Sequence, residues 1–220
     1  MTGVAGIGMT SDRTRQRMVE LLRHEGITDE RVLAAMLEIP REEFVPPESR
    51  LVAYQDDPIP IGEGQTISQP FMTALMAESL ALQGTENVLE VGAGCGYAAA
   101  VLGALAASVT TVELLPVLAR NARENLRRTA RDFNVKVVTG DGGLGYPPGA
   151  PYDAISVAAG APEIPAALVE QLRDPGILVI PVGGMDDQEL RVLALRGGQS
   201  ESRVPTMCRF VPLRGNEGWR

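Results

Sequence analysis

The sequence predicts an α/β fold, with a mostly parallel twisted sheet, helices on both faces, N-terminal helices before it and a C-terminal strand after it. Apolar strand patterns alternate with helix patterns from residue 87 to residue 183, an alternation typical of parallel strands joined by right-handed crossovers. The first of these strands runs into a turn that carries Gly92, Gly94 and Gly96. A glycine turn between a strand and a helix is typical of sheets that bind a ligand at this point.

Length and composition bound the class of protein. The chain has 220 residues, 45% of them apolar, which is enough for one sizeable core. The net charge of -8 argues against broad contact with nucleic-acid phosphates. There is no apolar run of roughly 18 residues for a membrane span, and the first residues lack a signal-peptide pattern. We therefore expect a soluble, cytoplasmic protein.

Two helices are predicted before the sheet. The first begins near Ser11 or Asp12 and stops at Gly26; the second has Thr28 as its cap. The apolar positions expected to face inward are Met18, Leu21 and Leu22 in the first helix and Val32, Leu33, Met36 and Leu37 in the second.

The segment from residue 41 to residue 70 shows no clear periodicity and is rich in Pro, Gly and Asp. A long irregular segment in a compact protein is usually a binding loop or disordered. Its aromatic residues Phe44 and Tyr54 favour packing. Tyr54 and Ile59 are expected either to pack the loop or to be ordinary core residues. A helix is predicted to follow it and to end near Gly84.

The remaining elements follow from local patterns. Strands are predicted at 87–91, 108–114, 135–142, 152–160, 176–183 and 189–197, and helices at 97–106, 115–131 and 162–173, the last with Leu168, Val169 and Leu172 facing inward. A final strand is predicted from Met207 to Leu213. We divide this single compact unit into N-terminal helices and a lid loop (1–80), a cofactor-binding core (81–196) and a C-terminal strand and tail packed on the core (197–220).

The glycine turn reads VGAGCGY, with Tyr97 at the position where a dinucleotide fingerprint, G-x-G-x-x-G, has its third glycine. This departure favours G-x-G-x-G, which is typical of S-adenosylmethionine binding by a Rossmann-like fold. Glycines let the backbone approach a ligand closely, and the following helix N-terminus favours an anionic group.

Three acidic residues stand at or near the ends of successive strands. Glu113 lies about 20 residues past the glycine turn, at the spacing that binds a ribose diol. Asp141, followed by Gly142, is placed to reach an adenine. Glu90 is a candidate for organising the loop or the ammonium group of the cofactor. The alternative is that these residues are solvated strand ends, but their joint position favours a ligand site.

Ser68 lies in the stretch GQTISQP, just before a helix that starts near Pro70. A serine nucleophile needs a base beside it, and the chain has one histidine, His24, and one lysine, Lys136. Both lie in helix or strand patterns, which argues against a catalytic triad; two scattered cysteines, Cys95 and Cys208, make a zinc site or a disulfide framework equally poor predictions. From local mechanics alone, Ser68 is favoured as the cap of the next helix.

The sequence resembles the protein-L-isoaspartate O-methyltransferase family from about residue 10 to the end. The AYQDDPIPIGEGQTISQP block is the specific signature, whereas the glycine turn marks only the methyltransferase superfamily. Segment 197–206 matches nothing in the resemblance. The stretches that carry it are 39–46, 53–70, 88–106, 111–113, 140–165, 171–183 and 208–219.

The resemblance implies methyl transfer from S-adenosylmethionine to the free carboxylate of an L-isoaspartyl residue, with S-adenosylhomocysteine as product. That carboxylate has a reference pKa of about 3.3–3.7, so it is ionised at neutral pH and needs no general base. What remains for the protein is to align the reacting atoms and to replace water around the carboxylate.

The resemblance also implies roles for residues. Ser68 becomes a catalytic hydroxyl that donates to and aims the acceptor carboxylate. Asp56 either holds the loop, which we favour, or faces the substrate. The cofactor-binding residues are Thr66, Ser68, Glu90, Gly92, Gly94, Gly96, Glu113, Asp141 and Gly142. The substrate-binding residues are Asp56, Thr66, Ile67, Ala161, Pro162, Val211 and Pro212, and we expect an extended peptide held by backbone hydrogen bonds near the last four.

Three other functions remain open from the residues alone: a methyltransferase of a small molecule or RNA, a nicotinamide oxidoreductase, and a non-catalytic cofactor-binding module. Tyr97 argues against the second, and the presence of Thr66 and Ser68 against the third. The expected partners are isoaspartyl proteins and peptides, with no nucleic acid, no membrane and no metal, and we expect a monomer.

Overall fold

The computed structural model describes residues 12–129 and 134–219. Ser11, one candidate cap of the first helix, and the predicted helix end at residues 130 and 131 lie outside the described residues. The described part contains a seven-stranded sheet in the order β5-β4-β3-β6-β7-β8-β9 and a separate two-stranded sheet, β1-β2. The strands are β1 Ile59–Gly62, β2 Gln65–Ile67, β3 Asn87–Val91, β4 Ser108–Glu113, β5 Val135–Thr139, β6 Tyr152–Val157, β7 Leu172–Gly183, β8 Gln188–Arg196 and β9 Gln199–Cys208.

The large sheet is parallel from β5 to β7 and antiparallel at β8 and β9. The helices are α1 Asp12–His24, α2 Glu30–Glu38, α3 Pro70–Ser79, α4 Tyr97–Leu105, α5 Pro116–Arg128 and α6 Ala166–Glu170. Neighbouring residues of β3 belong to different core clusters: Val88 packs with the residues of α1 to α4, and Leu89 with Leu168 of α6. The sheet is therefore buried on both faces, as its near-continuous apolar strands predict.

The N-terminal helices form as predicted, but their caps and faces differ in detail. Asp29, not Thr28, caps α2, and its side chain accepts a hydrogen bond from the Arg31 N–H. Thr28 instead donates its N–H and its hydroxyl to Glu78, at 2.7 and 3.0 Å. Leu21 and Leu37, which the apolar pattern predicts to face inward, are 44% and 38% exposed. The face of each helix that packs against the core is narrower than the set of its apolar residues.

Two predictions near the C-terminal half were wrong. The helix predicted over 162–173 is only one turn, α6, because Leu172 already begins strand β7. The last strand is not Met207–Leu213 but β9, which takes most of its residues from segment 197–206. Gly197 and Gly198 both have positive φ, so they make a two-residue hairpin turn that folds β9 back onto β8.

Residues 53–70, which we call the flap, contain the small hairpin of β1 and β2 between irregular stretches. Tyr54 and Ile59 are buried at 7% and 5% exposure and belong to the core that contains the N-terminal helices. The flap is therefore an ordered element between the N-terminal helices and α3. Among the helices of residues 12–129 and 134–219, none has both the length and the apolar character that crossing a membrane requires.

Candidate active site

A cleft opens at the carboxyl ends of the parallel strands, where the strand order reverses on either side of β3. This is the position at which open α/β sheets bind ligands. It encloses about 830 Å³ of space not filled by protein, including open solvent. Nine of the predicted site residues line it: Thr66, Ile67, Ser68, Gly92, Gly94, Glu113, Gly142, Val211 and Pro212.

The glycine turn forms one wall of the cleft. Gly92 and Gly96 have φ values of 93° and 90°, a region that side-chain-bearing residues rarely adopt. Gly96 is the N-cap of α4 and lies just behind the lining residues. At Gly142, across the wall, an added Cβ would lie 2.4 Å from the Val91 side chain. Packing against Val91 therefore excludes a side chain at Gly142, and backbone conformation favours glycine at Gly92 and Gly96.

Glu113, at the end of β4, is 6% exposed and lines the cleft. Its two carboxylate oxygens accept hydrogen bonds from the N–H groups of Gly94 and Leu115, at 2.8 and 3.0 Å. These bonds fix the carboxylate against the glycine turn. Each oxygen keeps acceptor capacity for a hydroxyl group in the cleft, since a carboxylate offers about four lone-pair sites.

Glu90 does not line the main cleft but faces a small side cavity that shares Ser68 and Thr73 with it. One carboxyl oxygen accepts a hydrogen bond from the Thr111 hydroxyl, and the other is buried without a partner. Burial raises the pKa of Glu90 to about 8. With this pKa the carboxyl group is mostly protonated at neutral pH, and its predicted role beside the loop or the cofactor's ammonium group stays a prediction.

Asp141 also lies outside the residues that line the cleft. Its oxygens accept hydrogen bonds from the N–H groups of Gly143 and Asn216, at 3.0 and 2.8 Å. The side chain therefore joins the loop after β5 to the C-terminal segment. This position is next to Gly142, which does line the cleft.

The flap forms the opposite wall through Thr66, Ile67 and Ser68. The alternative role of Ser68 as a helix cap is wrong, because the N-cap residue of α3 is Gln69. The Gln69 side chain makes no capping hydrogen bond to the helix. Asp56 caps the helix instead, since it accepts hydrogen bonds from the Phe71 N–H at 2.7 Å and from the Gln69 side chain at 3.1 Å. The Ser68 hydroxyl makes no hydrogen bond within the described residues.

The two dipeptides predicted to hold a substrate chain differ in position. Val211 and Pro212 line the cleft, whereas Ala161 and Pro162 do not. The Ala161 N–H donates to the Pro181 carbonyl at 3.0 Å. This N–H is therefore not free for a peptide, although the pair is only one residue further along the chain than Gly160, the neighbour of the cleft residue Ala159.

His24 and Lys136 are both exposed and neither lines the cleft. Within the described residues, the charged groups that line it are Glu113 and Arg214. Sequence reasoning missed Arg214, and it missed Arg41, a fully buried residue behind the flap. Arg41 stands beside two glutamates in the stretch IPREEFVP, so the local pattern of charge gives no signal that this arginine is buried.

The comparisons with known proteins agree with this geometry. The family model described as protein-L-isoaspartate(D-aspartate) O-methyltransferase (PCMT) matches residues 13–218. The chain belongs to this family. A protein-L-isoaspartate O-methyltransferase of Methanoculleus marisnigri is 53% identical over 211 residues, which are 94% of each chain. A second, from Marinobacter nauticus, is 54% identical over 176 residues, 79% of this chain and 80% of the relative.

Solved structures of the family share the fold. A protein-L-isoaspartate O-methyltransferase matches with a TM-score of 0.82 at 30% identity, over 93% of this chain and 67% of the other. A putative Plasmodium falciparum enzyme, solved with S-adenosyl-L-homocysteine, matches with a TM-score of 0.77 at 27% identity, over 92% and 99%. The predicted family, fold class and enzyme class are thereby confirmed, and the cofactor of this family is S-adenosylmethionine.

Proposed function

We propose that the glycine wall of the cleft holds S-adenosylmethionine and that the flap holds the carboxylate of an L-isoaspartyl residue against it. The cleft fits the cofactor in two respects. Gly92, Gly94 and Gly142 line the cleft without side chains, and Glu113 presents buried acceptor capacity to a ribose diol. When bound, the cofactor supplies an activated methyl group.

Ser68 is the residue that acts on the acceptor. The observation that carries this role is its place in the cleft with a hydroxyl that has no partner within the described residues. Such a hydroxyl donates one hydrogen bond to a carboxylate and so fixes the direction of attack. No base is required, because the acceptor is already ionised at neutral pH. Thr66 and Ile67 extend the same wall and exclude water from the reacting groups.

The roles of the remaining site residues follow from their positions. Gly94 and Gly96 shape the turn that faces the cofactor, and Glu90 supports it from the side cavity. Asp141 has two ways to contact the adenine. Either it releases the Asn216 N–H, or it accepts a second hydrogen bond on an oxygen that is already bonded. Asp56 serves the substrate by holding the flap. Val211 and Pro212 offer backbone along the cleft for an extended peptide, with Ala161 and Pro162 at its edge.

The decisive experiment is methyl transfer from labelled cofactor to an isoaspartyl peptide, beside the same peptide with normal aspartate. We expect transfer only to the isoaspartyl peptide and a loss of about 100-fold in turnover for Ser68→Ala, because one pre-positioned donor is removed. Ser200→Ala, an exposed serine on β9, is the control. Full turnover in Ser68→Ala would overturn the aiming role, and transfer to the normal peptide would point to a different acceptor.

We further propose that the protein works as a cytoplasmic monomer, without nucleic acid. Both cysteines are free, and the net charge of -8 disfavours contact with nucleic-acid phosphates. Light scattering after size exclusion, with and without an isoaspartyl peptide, tests the oligomeric state.

A further inference from the structure

Arg41 is a guanidinium group with no exposed surface, located behind the flap. Its Nε donates a hydrogen bond to the Ala53 carbonyl and its Nη2 donates one to the Ser68 carbonyl, both at 2.7 Å. The central carbon of the guanidinium lies 5.0 Å from the centre of the Tyr97 ring. One side chain therefore connects the start of the flap, the residue proposed to aim the acceptor, and the first residue of α4 beside the glycine turn.

This buried cation is costly for the fold. Within the described residues Arg41 forms no ion pair, and its Nη1 has no hydrogen-bond partner. Burial lowers the pKa of the guanidinium. Replacing a buried ion by an apolar side chain of similar volume is often neutral or stabilising, so packing alone does not account for an arginine here.

What Arg41 provides is a fixed position for Ser68. The hairpin ladder ends at the pair Ile59 and Ile67, and the first turn of α3 uses the carbonyl of Gln69, which accepts from the Thr73 N–H. Ser68 lies between these two elements, so neither ladder uses its carbonyl. Arg41 supplies the hydrogen bond that secondary structure does not.

We propose that Arg41 is a positioning residue for methyl transfer, which holds Ser68 by its carbonyl so that the hydroxyl meets the acceptor carboxylate. The inference rests on the role proposed above for Ser68. Arginine suits this role because its rigid fork donates in two fixed directions while its face lies on an aromatic ring, whereas a lysine ammonium is a point charge on a flexible stem.

The test compares Arg41→Lys with a control, Arg123→Lys. Arg123 also donates two hydrogen bonds to a backbone carbonyl, that of Val137, at 3.3 and 2.9 Å, but these bonds lie on β5 and not at the flap or Ser68. At saturating cofactor and peptide, we expect Arg41→Lys to lower kcat about 10- to 100-fold, since a small misplacement of a reacting group has effects of this size. The affinity for S-adenosylhomocysteine, measured by calorimetry, should stay unchanged, and Arg123→Lys should keep kcat.

A double-mutant cycle with Ser68→Ala separates positioning from general support. If Arg41 acts through Ser68, adding Arg41→Lys to Ser68→Ala lowers kcat by less than about twofold more. Two independent, multiplying losses would overturn the proposal. Full kcat in Ser68→Ala alone would instead contradict the proposed role of Ser68, so the two failures are distinguishable.

Arg41→Met covers the case in which the lysine variant does not fold. Methionine keeps much of the volume of the stem but has no donor, so it should fold and show the same loss of kcat and the same dependence on Ser68. If neither variant folds even with S-adenosylhomocysteine present, Arg41 is required for the fold itself and the positioning role is overturned.

Discussion

The two walls of the cleft are built in different ways. The glycine wall is backbone at the ends of parallel strands, and its one fixed carboxylate, Glu113, is bonded to N–H groups of that same wall. The flap is held by single side chains from elsewhere in the chain: Asp56 bonds the start of α3 and Arg41 bonds Ser68. We infer that damage to the first wall lowers cofactor affinity, whereas damage to the tethers of the second lowers turnover.

The largest effect is expected for Glu90, under the glycine wall. Its pKa is raised from 4.5 to about 8 by burial, so between these pH values the folded state holds a proton that the unfolded state has lost. The free energy of unfolding should therefore fall as the pH rises from about 5 to about 8, with a slope of up to about 1.4 kcal/mol per pH unit.

Glu90→Gln should remove this contribution, because the amide does not titrate. Urea unfolding of both proteins at several pH values measures it. Identical pH dependence in the two proteins would show that Glu90 is not the neutral buried acid described above.

Gly142→Ala tests the glycine wall directly. The new Cβ would meet Val91 at 2.4 Å, and overpacking of this kind costs about 1–3 kcal/mol. We expect weaker binding of S-adenosylhomocysteine by calorimetry, together with a lower urea midpoint. Gly140→Ala is the matched control, since its Cβ would lie 3.9 Å from the nearest atom; an equal loss of affinity there would break the distinction between the two positions.

Asp56→Ala tests the flap. Loss of the bond to the Phe71 N–H removes the cap of α3 and should cost about 1 kcal/mol of stability. Turnover with an isoaspartyl peptide should fall while affinity for S-adenosylhomocysteine is kept. The neighbouring Asp57 is exposed, so Asp57→Ala should change neither property. If Asp56→Ala weakens cofactor binding as strongly as Gly142→Ala does, the two walls are not separable.

The smallest effect is expected for Tyr97→Phe, at the junction of the walls. The Tyr97 hydroxyl is buried without a partner, while the ring contacts Arg41 and Phe44. Removing the hydroxyl and keeping the ring should leave turnover unchanged and alter stability by less than about 1 kcal/mol. A large loss of turnover would mean that the hydroxyl itself acts in the cleft.

Local patterns were sufficient for most of the fold. The order of strands and helices, the glycine turn after β3 and the end of β4 at Glu113 all follow from short windows of sequence, because periodicity and backbone freedom act between near neighbours. The same windows misplaced the last strand. The apolar residues Phe210 and Leu213 favour a strand in the local pattern. In the structure they lie beyond the end of β9 and are buried in the core without belonging to a strand.

The sequence by itself determined the α/β architecture, the family and the stretch that contains Ser68. Only the tertiary structure decided that Asp56 caps α3, that Glu90 faces a side cavity and that Arg41 lies beneath the flap. These facts depend on which segments, distant in sequence, pack against each other. Whether a charged side chain is buried or paired is decided by that packing. No local pattern contains this information, because the same side chain would be solvated if its neighbours in space were different.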